Sequence, residues 1–83
     1  MTIPTFNIES TADVRKFFSW LTANDLMIHP DDCFIYLLDF AAEEGELPSI
    51  TIAQAEYLDE VMERCFYVCD DESTDIYELA QWH

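Results

Sequence analysis

Residues 51–70, TIAQAEYLDEVMERCFYVCD, decide how the chain folds. Ala55, Leu58, Met62, Cys65 and Cys69 recur every three or four positions, and Val61 and Val68 widen the stripe. That spacing places them on one face of an amphipathic helix. Thr51, with Gln54 three residues on, makes a capping box at its start, so a helix is expected from there to about Asp70. Glu56, Asp59, Glu60, Glu63 and Asp70 fall away from the stripe, on the side expected to meet solvent.

Toward the N-terminus, Leu47 to Ile50 form a connector, and Gly45, the only glycine, follows Glu43 and Glu44 where a helix-terminating residue belongs. A second helix is expected to begin near Pro30, because proline fits a first turn and disfavours helix at the residue before it. Asp31 and Asp32 would then sit at the positive end of its dipole, with Phe34, Leu37, Leu38 and Ala41 as its apolar face. Ser10 and Asp13 signal the start of another helix over about Thr11 to Ala23, with Val14, Phe17, Phe18 and Leu21 at helical spacing. Before it, Ile3, Phe6 and Ile8 read as an extended arm laid on the core. After the polar break from Asp70 to Asp75, Ile76, Tyr77, Leu79 and Trp82 are placed in a terminal helical turn. The expectation is a single all-α domain over 1–83: a compact three-helix bundle with an extended N-terminal arm and a short C-terminal helical element.

The charge is lopsided. The 83 residues hold 18 Asp and Glu against 3 Lys and Arg, a net charge of -15. Hydrophobic residues are nevertheless 51% of the chain and aromatics 14%, well above the composition of a disordered acidic tail, so a packed core is expected. Such a charge opposes contact with nucleic acid or an anionic membrane and makes a basic protein the natural partner. From Glu43 onward Arg64 is the only base, so the carboxylates of Glu43, Glu44, Glu46, Glu56, Asp59, Glu60, Glu63, Asp70, Asp71 and Glu72 are the candidate partner-binding residues. An ordinary solvated helix face interleaves both signs; this one does not. Acids three or four residues apart on a helix lie roughly 5 to 6 Å from one another, which offers a basic groove something like a row of phosphates.

Other chemistries are weaker. Cys65 and Cys69 at i,i+4, with Cys33 and His29, have a spacing from which zinc ligands can be drawn, but the first two continue the hydrophobic stripe and read as core, so no metal is expected. The stretch from Asp71 fails as a calcium loop, since Ile76 stands where glycine is needed and Trp82 where a bidentate Glu is needed. His29 has no nucleophile beside it at a catalytic spacing, and no glycine-rich phosphate loop occurs, so neither an enzyme nor a cofactor is expected. Three cysteines and no leader-like segment point to reduced thiols in the cytoplasm. Trp20, Tyr36, Tyr57, Phe66, Tyr67 and Trp82 lie at or beyond the edges of the apolar stripes, and an aromatic surface of that kind is the basis of a second reading, an interaction module or homodimer.

The stretches Val14-Arg15-Lys16-Phe17-Phe18-Ser19-Trp20-Leu21, Ile28-His29-Pro30-Asp31-Asp32 with Phe34, and Ala53 through Cys69 ending in Asp75-Ile76-Tyr77-Glu78-Leu79 resemble short uncharacterised helical proteins of bacteria and their mobile elements. The likeness covers most of the chain and implies no particular activity. In size and charge the chain is also similar to acidic anti-defence proteins of phages, including DNA-mimicking anti-CRISPR and anti-restriction inhibitors. This second likeness is one of composition, and it implies a nucleic-acid mimic that inhibits a basic, nucleic-acid-binding partner.

Overall fold

The structure, a computed structural model, describes residues 1–80. Among these residues lie α1 (Thr11–Ala23), α2 (Ile35–Glu43), α3 (Ile52–Asp71) and α4 (Ile76–Leu79), and no strand. Trp82 and His83 lie outside the described residues. Among the described residues no helix is long and apolar enough to cross a membrane.

The longest helix, α3, forms as its sequence dictates. Thr51 Oγ1 accepts the Gln54 N–H at 3.1 Å while Gln54 Oε1 accepts the Thr51 N–H at 2.9 Å, so two donors that a helix start leaves open are satisfied reciprocally. Its buried residues are Ala55, Leu58, Val61, Met62, Cys65, Val68 and Cys69. Against this stripe pack α1, α2 and α4, and α1 also meets α4. The all-helical expectation holds. The arrangement is centred on α3, with α1 and α2 each packed on it and not on one another.

At the start of α1, Asp13 Oδ2 accepts the N–H groups of Glu9 at 3.0 Å and Ser10 at 3.2 Å. The bond from Glu9, then those from Ser10 and the nearby Lys16 charge, hold its carboxyl below the usual range. Phe17 is fully buried and gathers neighbours from three segments. Its ring centroid is 4.9 Å from that of Phe6 in the N-terminal residues, 6.0 Å from Phe18 and 6.5 Å from Phe34. Residues 1–9 carry no regular secondary structure. They are tied to α3 where the Phe6 N–H donates to the Tyr57 hydroxyl at 2.9 Å and Arg64 Nε donates to the Ile8 carbonyl at 3.1 Å.

The start of α2 corrects the expectation from sequence. Pro30 occupies a turn closed by the Asp32 N–H on the His29 carbonyl at 2.9 Å, and the helix begins only at Ile35. Asp31 and Asp32 are therefore turn residues. The reason lies 25 residues away, where Asp59 Oδ1 of α3 accepts the Phe34 N–H at 2.8 Å and so satisfies the donor at the helix start. Phe34 is fully buried, which pins that start to the core.

All three long helices end the same way. The residue after each C-cap is left-handed, Asp25 at φ 55°, Gly45 at φ 69° and Ser73 at φ 53°. The next N–H then reaches back, Leu26 to Leu21, Glu46 to Ala41 and Thr74 to Cys69, at 2.9, 2.8 and 2.8 Å. Only the middle one uses glycine. Ser73→Gly and Asp25→Gly should each raise unfolding free energy by about 0.5 to 1 kcal/mol, because a Cβ is removed from a left-handed residue. A Cβ at Gly45 meets nothing within 4 Å, so Gly45→Ala should cost about 1 kcal/mol from backbone conformation alone. Urea denaturation of the three variants checks both; a destabilised Ser73→Gly protein would contradict the account.

Candidate partner-binding surface

Helix α3 sorts the candidate carboxylates into two kinds. Glu56, Glu60, Glu63 and Asp70 are exposed, and their spacings of four, three and seven residues keep them within one stripe of a 3.6-residue helix. Tyr67 stands in the same stripe and is 59% exposed. From Glu56 to Asp70 the row runs about 21 Å at 1.5 Å per residue. None of these side chains makes a hydrogen bond or ion pair with another described residue. Asp71 closes the helix and is exposed, as are Glu43, Glu44 and Glu46 around the end of α2.

Asp59 and Glu72 are different. Asp59 is half-buried and accepts the Phe34 N–H. Glu72 Oε2 accepts the Thr11 N–H at 2.8 Å, placing a carboxylate at the start of α1, where the helix dipole favours it. Both hold the fold together. Eight of the ten candidate carboxylates project into solvent without a bond to the fold, and these two accept backbone N–H groups.

Beside the row lies a groove of about 480 Å³ between α3 and the turn at Pro30. Pro30, Met62 and Phe66 give it apolar walls, and Asp31, Asp32, Asp59 and Glu63 bring carboxylates to it. Sequence reasoning assigned Asp31 and Asp32 to a helix start and so missed their place here; only the turn's approach to α3 reveals it. Asp31 is held in position, since its Oδ1 accepts the Tyr77 hydroxyl at 2.7 Å. That bond, and the surrounding negative charge, raise the Tyr77 phenol above its ordinary value. The His29 ring lies 5.6 Å from the Tyr77 ring, and its Nδ1 accepts the Asp31 N–H at 3.1 Å. A carboxylate-rimmed apolar groove of this kind suits an aliphatic stem that ends in a cation.

Of the aromatics named from sequence, Tyr36 and Tyr67 are exposed, while Trp20, Tyr57 and Phe66 are half-buried. Phe40, which sequence reasoning did not name, is 62% exposed. No group of three or more His, Cys, Asp or Glu is placed to hold a metal ion among the described residues. Cys65 and Cys69 are buried in the core and Cys33 is exposed. Burial, followed by the neighbouring Cys69, pushes the Cys65 thiol up to about 12. Burial, then the charges of Glu72 and Asp75, also raise Cys69.

A thiol reagent at pH about 8 should therefore modify Cys33 quickly and the other two cysteines only after denaturation. Equal rates for all three would contradict the packing. Asp59→Ala should cost about 1 to 3 kcal/mol, because the half-buried Phe34 N–H loses a charged acceptor, whereas Glu60→Ala should change stability by no more than about 0.5 kcal/mol. Urea midpoints of the two variants decide whether adjacent acids differ in this way.

Comparison with protein-family models, with curated proteins and with solved structures finds no match, so the functional reading of this surface rests on its residues and their geometry.

Proposed function

We propose that the chain is a non-enzymatic acidic binding protein that occupies a basic, nucleic-acid-binding surface of a partner protein and inhibits it. The observation that carries this reading is the exposed row Glu56, Glu60, Glu63 and Asp70, which no cation of the chain neutralises among the described residues. Arg64, the base nearest in sequence, is turned to the Ile8 carbonyl. The carboxylates stand on a helix backed by seven buried residues, so the row is rigid before it meets a partner and little ordering is needed on binding. Its pitch of several ångströms is comparable with that of phosphates along a strand. Tyr67 within the row adds ring area between charges, as interface cores do. In a bacterial or phage setting the reading corresponds to a nucleic-acid mimic of anti-defence type acting in the cytoplasm.

A second reading has its own observation. Tyr36, Phe40 and Tyr67 expose 46%, 62% and 59% of their surface, which fits a helical interaction module that binds through rings, including to a second copy of itself. Salt separates the two, because contacts among rings survive ionic strength that screens carboxylates.

The test is capture from a source-cell lysate on the immobilised chain, using wild type and the triple variant Glu56→Lys/Glu60→Lys/Glu63→Lys, with and without duplex DNA as competitor. Wild type should retain a basic nucleic-acid-binding protein that DNA displaces, and retention should fall at least about tenfold between roughly 50 and 200 mM salt. The variant should retain none of it while keeping its circular dichroism spectrum. Retention that is unchanged by DNA and by the triple reversal would refute the reading.

A further inference from the structure

Helix α2 packs Ile35, Leu37 and Leu38 against the core and leaves the rest of its apolar surface uncovered. Its sequence, IYLLDFAAE, contains only two charged residues, yet none of its side chains is fully buried, whereas α1 buries four and α3 seven. Phe40 is 62% exposed and Tyr36, one turn before it on the same face, 46%. Leu47, two residues past Gly45, is 95% exposed. Leu26, Leu37, Phe40, Leu47 and Pro48 line a single open groove of about 360 Å³. Rings and branched side chains gathered at such a groove mark a contact site.

The rim identifies the occupant. Asp25, Glu44 and Glu46 line the same groove, and no basic residue does. We infer that the groove formed by α2 and Leu47 docks an amphipathic helix of a partner protein, whose apolar face fills it and whose flanking Lys or Arg pair with Asp25, Glu44 and Glu46. A helix presents apolar anchors at i, i+3, i+4 and i+7, a pattern matched to a groove of this form. A second copy of the chain is a poor occupant. A two-fold contact puts the same patch on both sides, so the three rim carboxylates would face their own copies, between chains that each carry a net charge of -15. This site does not depend on the carboxylate row of α3 and stands whether or not that row mimics nucleic acid.

The probe is a synthetic helix of about five turns, with Leu at i, i+3, i+4 and i+7 positions and Lys elsewhere. Its controls are a scrambled peptide of the same composition and a peptide with Glu in place of Lys. Binding is measured by calorimetry at about 150 mM salt, where exposed charges act only over about 8 Å. The patterned peptide should bind at least about tenfold tighter than the scrambled one, and the Glu-containing peptide should not bind. Phe40→Ser with Leu47→Ser should abolish the difference between patterned and scrambled peptides. Both residues are exposed, so the variant should melt as wild type does. Glu56→Lys/Glu60→Lys/Glu63→Lys should leave the difference in place, which separates this site from the α3 row. Equal affinity for the patterned and scrambled peptides would overturn the inference, as would an unchanged difference in the Phe40/Leu47 variant. So would a dimer, seen by light scattering, that the same variant dissolves.

Discussion

Burial of one stripe along α3 is the interaction on which the rest of the structure depends. Leu58, Val61, Met62 and Cys65 lie at its centre, they share one core cluster with buried residues of the N-terminal segment, α1, the connectors and α4, and α1, α2 and α4 all pack on α3. Phe17 joins α1 to the N-terminal residues through Phe6 and to the start of α2 through Phe34. Fully burying side chains of this size contributes roughly 1.5 to 3 kcal/mol each, whereas a surface ion pair contributes roughly 0 to 1. In a chain with 3 bases and 18 acids the core therefore carries the stability. The solvent side of the same helix is held in place by this anchoring, so the carboxylate row is a consequence of the stripe.

The excess of acid is partly absorbed by neutral donors. Asp13, Asp59, Glu72 and Asp75 each accept backbone N–H groups at or next to a helix start, and Asp31 accepts a tyrosine hydroxyl. Hydrogen bonds to an ionised acceptor are about twice as strong as neutral ones, and at helix starts the dipole adds to them. Carboxylates thus fix the starts of α1, α2 and α4 through backbone donors. The other thirteen acids make no side-chain hydrogen bond or ion pair among the described residues, and eight of them, Glu43, Glu44, Glu46, Glu56, Glu60, Glu63, Asp70 and Asp71, are candidate partner-binding carboxylates.

Much of this was legible in the residues. The bounds of α1 follow from Ser10, Asp13 and the spacing of Val14, Phe17, Phe18 and Leu21; α3 follows from its capping box and stripe, reaching Asp71, one residue beyond the expected end. Gly45 ends α2 as its position implies. What was not legible depends on residues far apart in sequence. The late start of α2 needs Asp59 to accept the Phe34 N–H, and nothing within residues 26–40 encodes that bond. Asp59 and Glu60 are neighbours on one helix, and sequence gives no reason to assign one to the fold and the other to the surface. Their difference arises from what packs beside each. The exposure of Phe40 was missed for the opposite reason: an apolar helix is ordinarily a buried one, and α2 is not.

Two surfaces of different chemistry follow, and they divide the chain's residues with little overlap. Changing Glu56, Glu60 or Glu63 alters the long-range field, because exposed carboxylates act through charge at a distance. Changing Phe40 or Leu47 alters only short-range contact area. Neither set belongs to the buried core, most of which lies on α1 and α3. The exposed side chains of both surfaces are therefore separable from the residues that hold the fold. Two features of the chain account for this: too few cations to pair its acids internally, and a helix, α2, that packs Ile35, Leu37 and Leu38 on the core while leaving Tyr36 and Phe40 outside it.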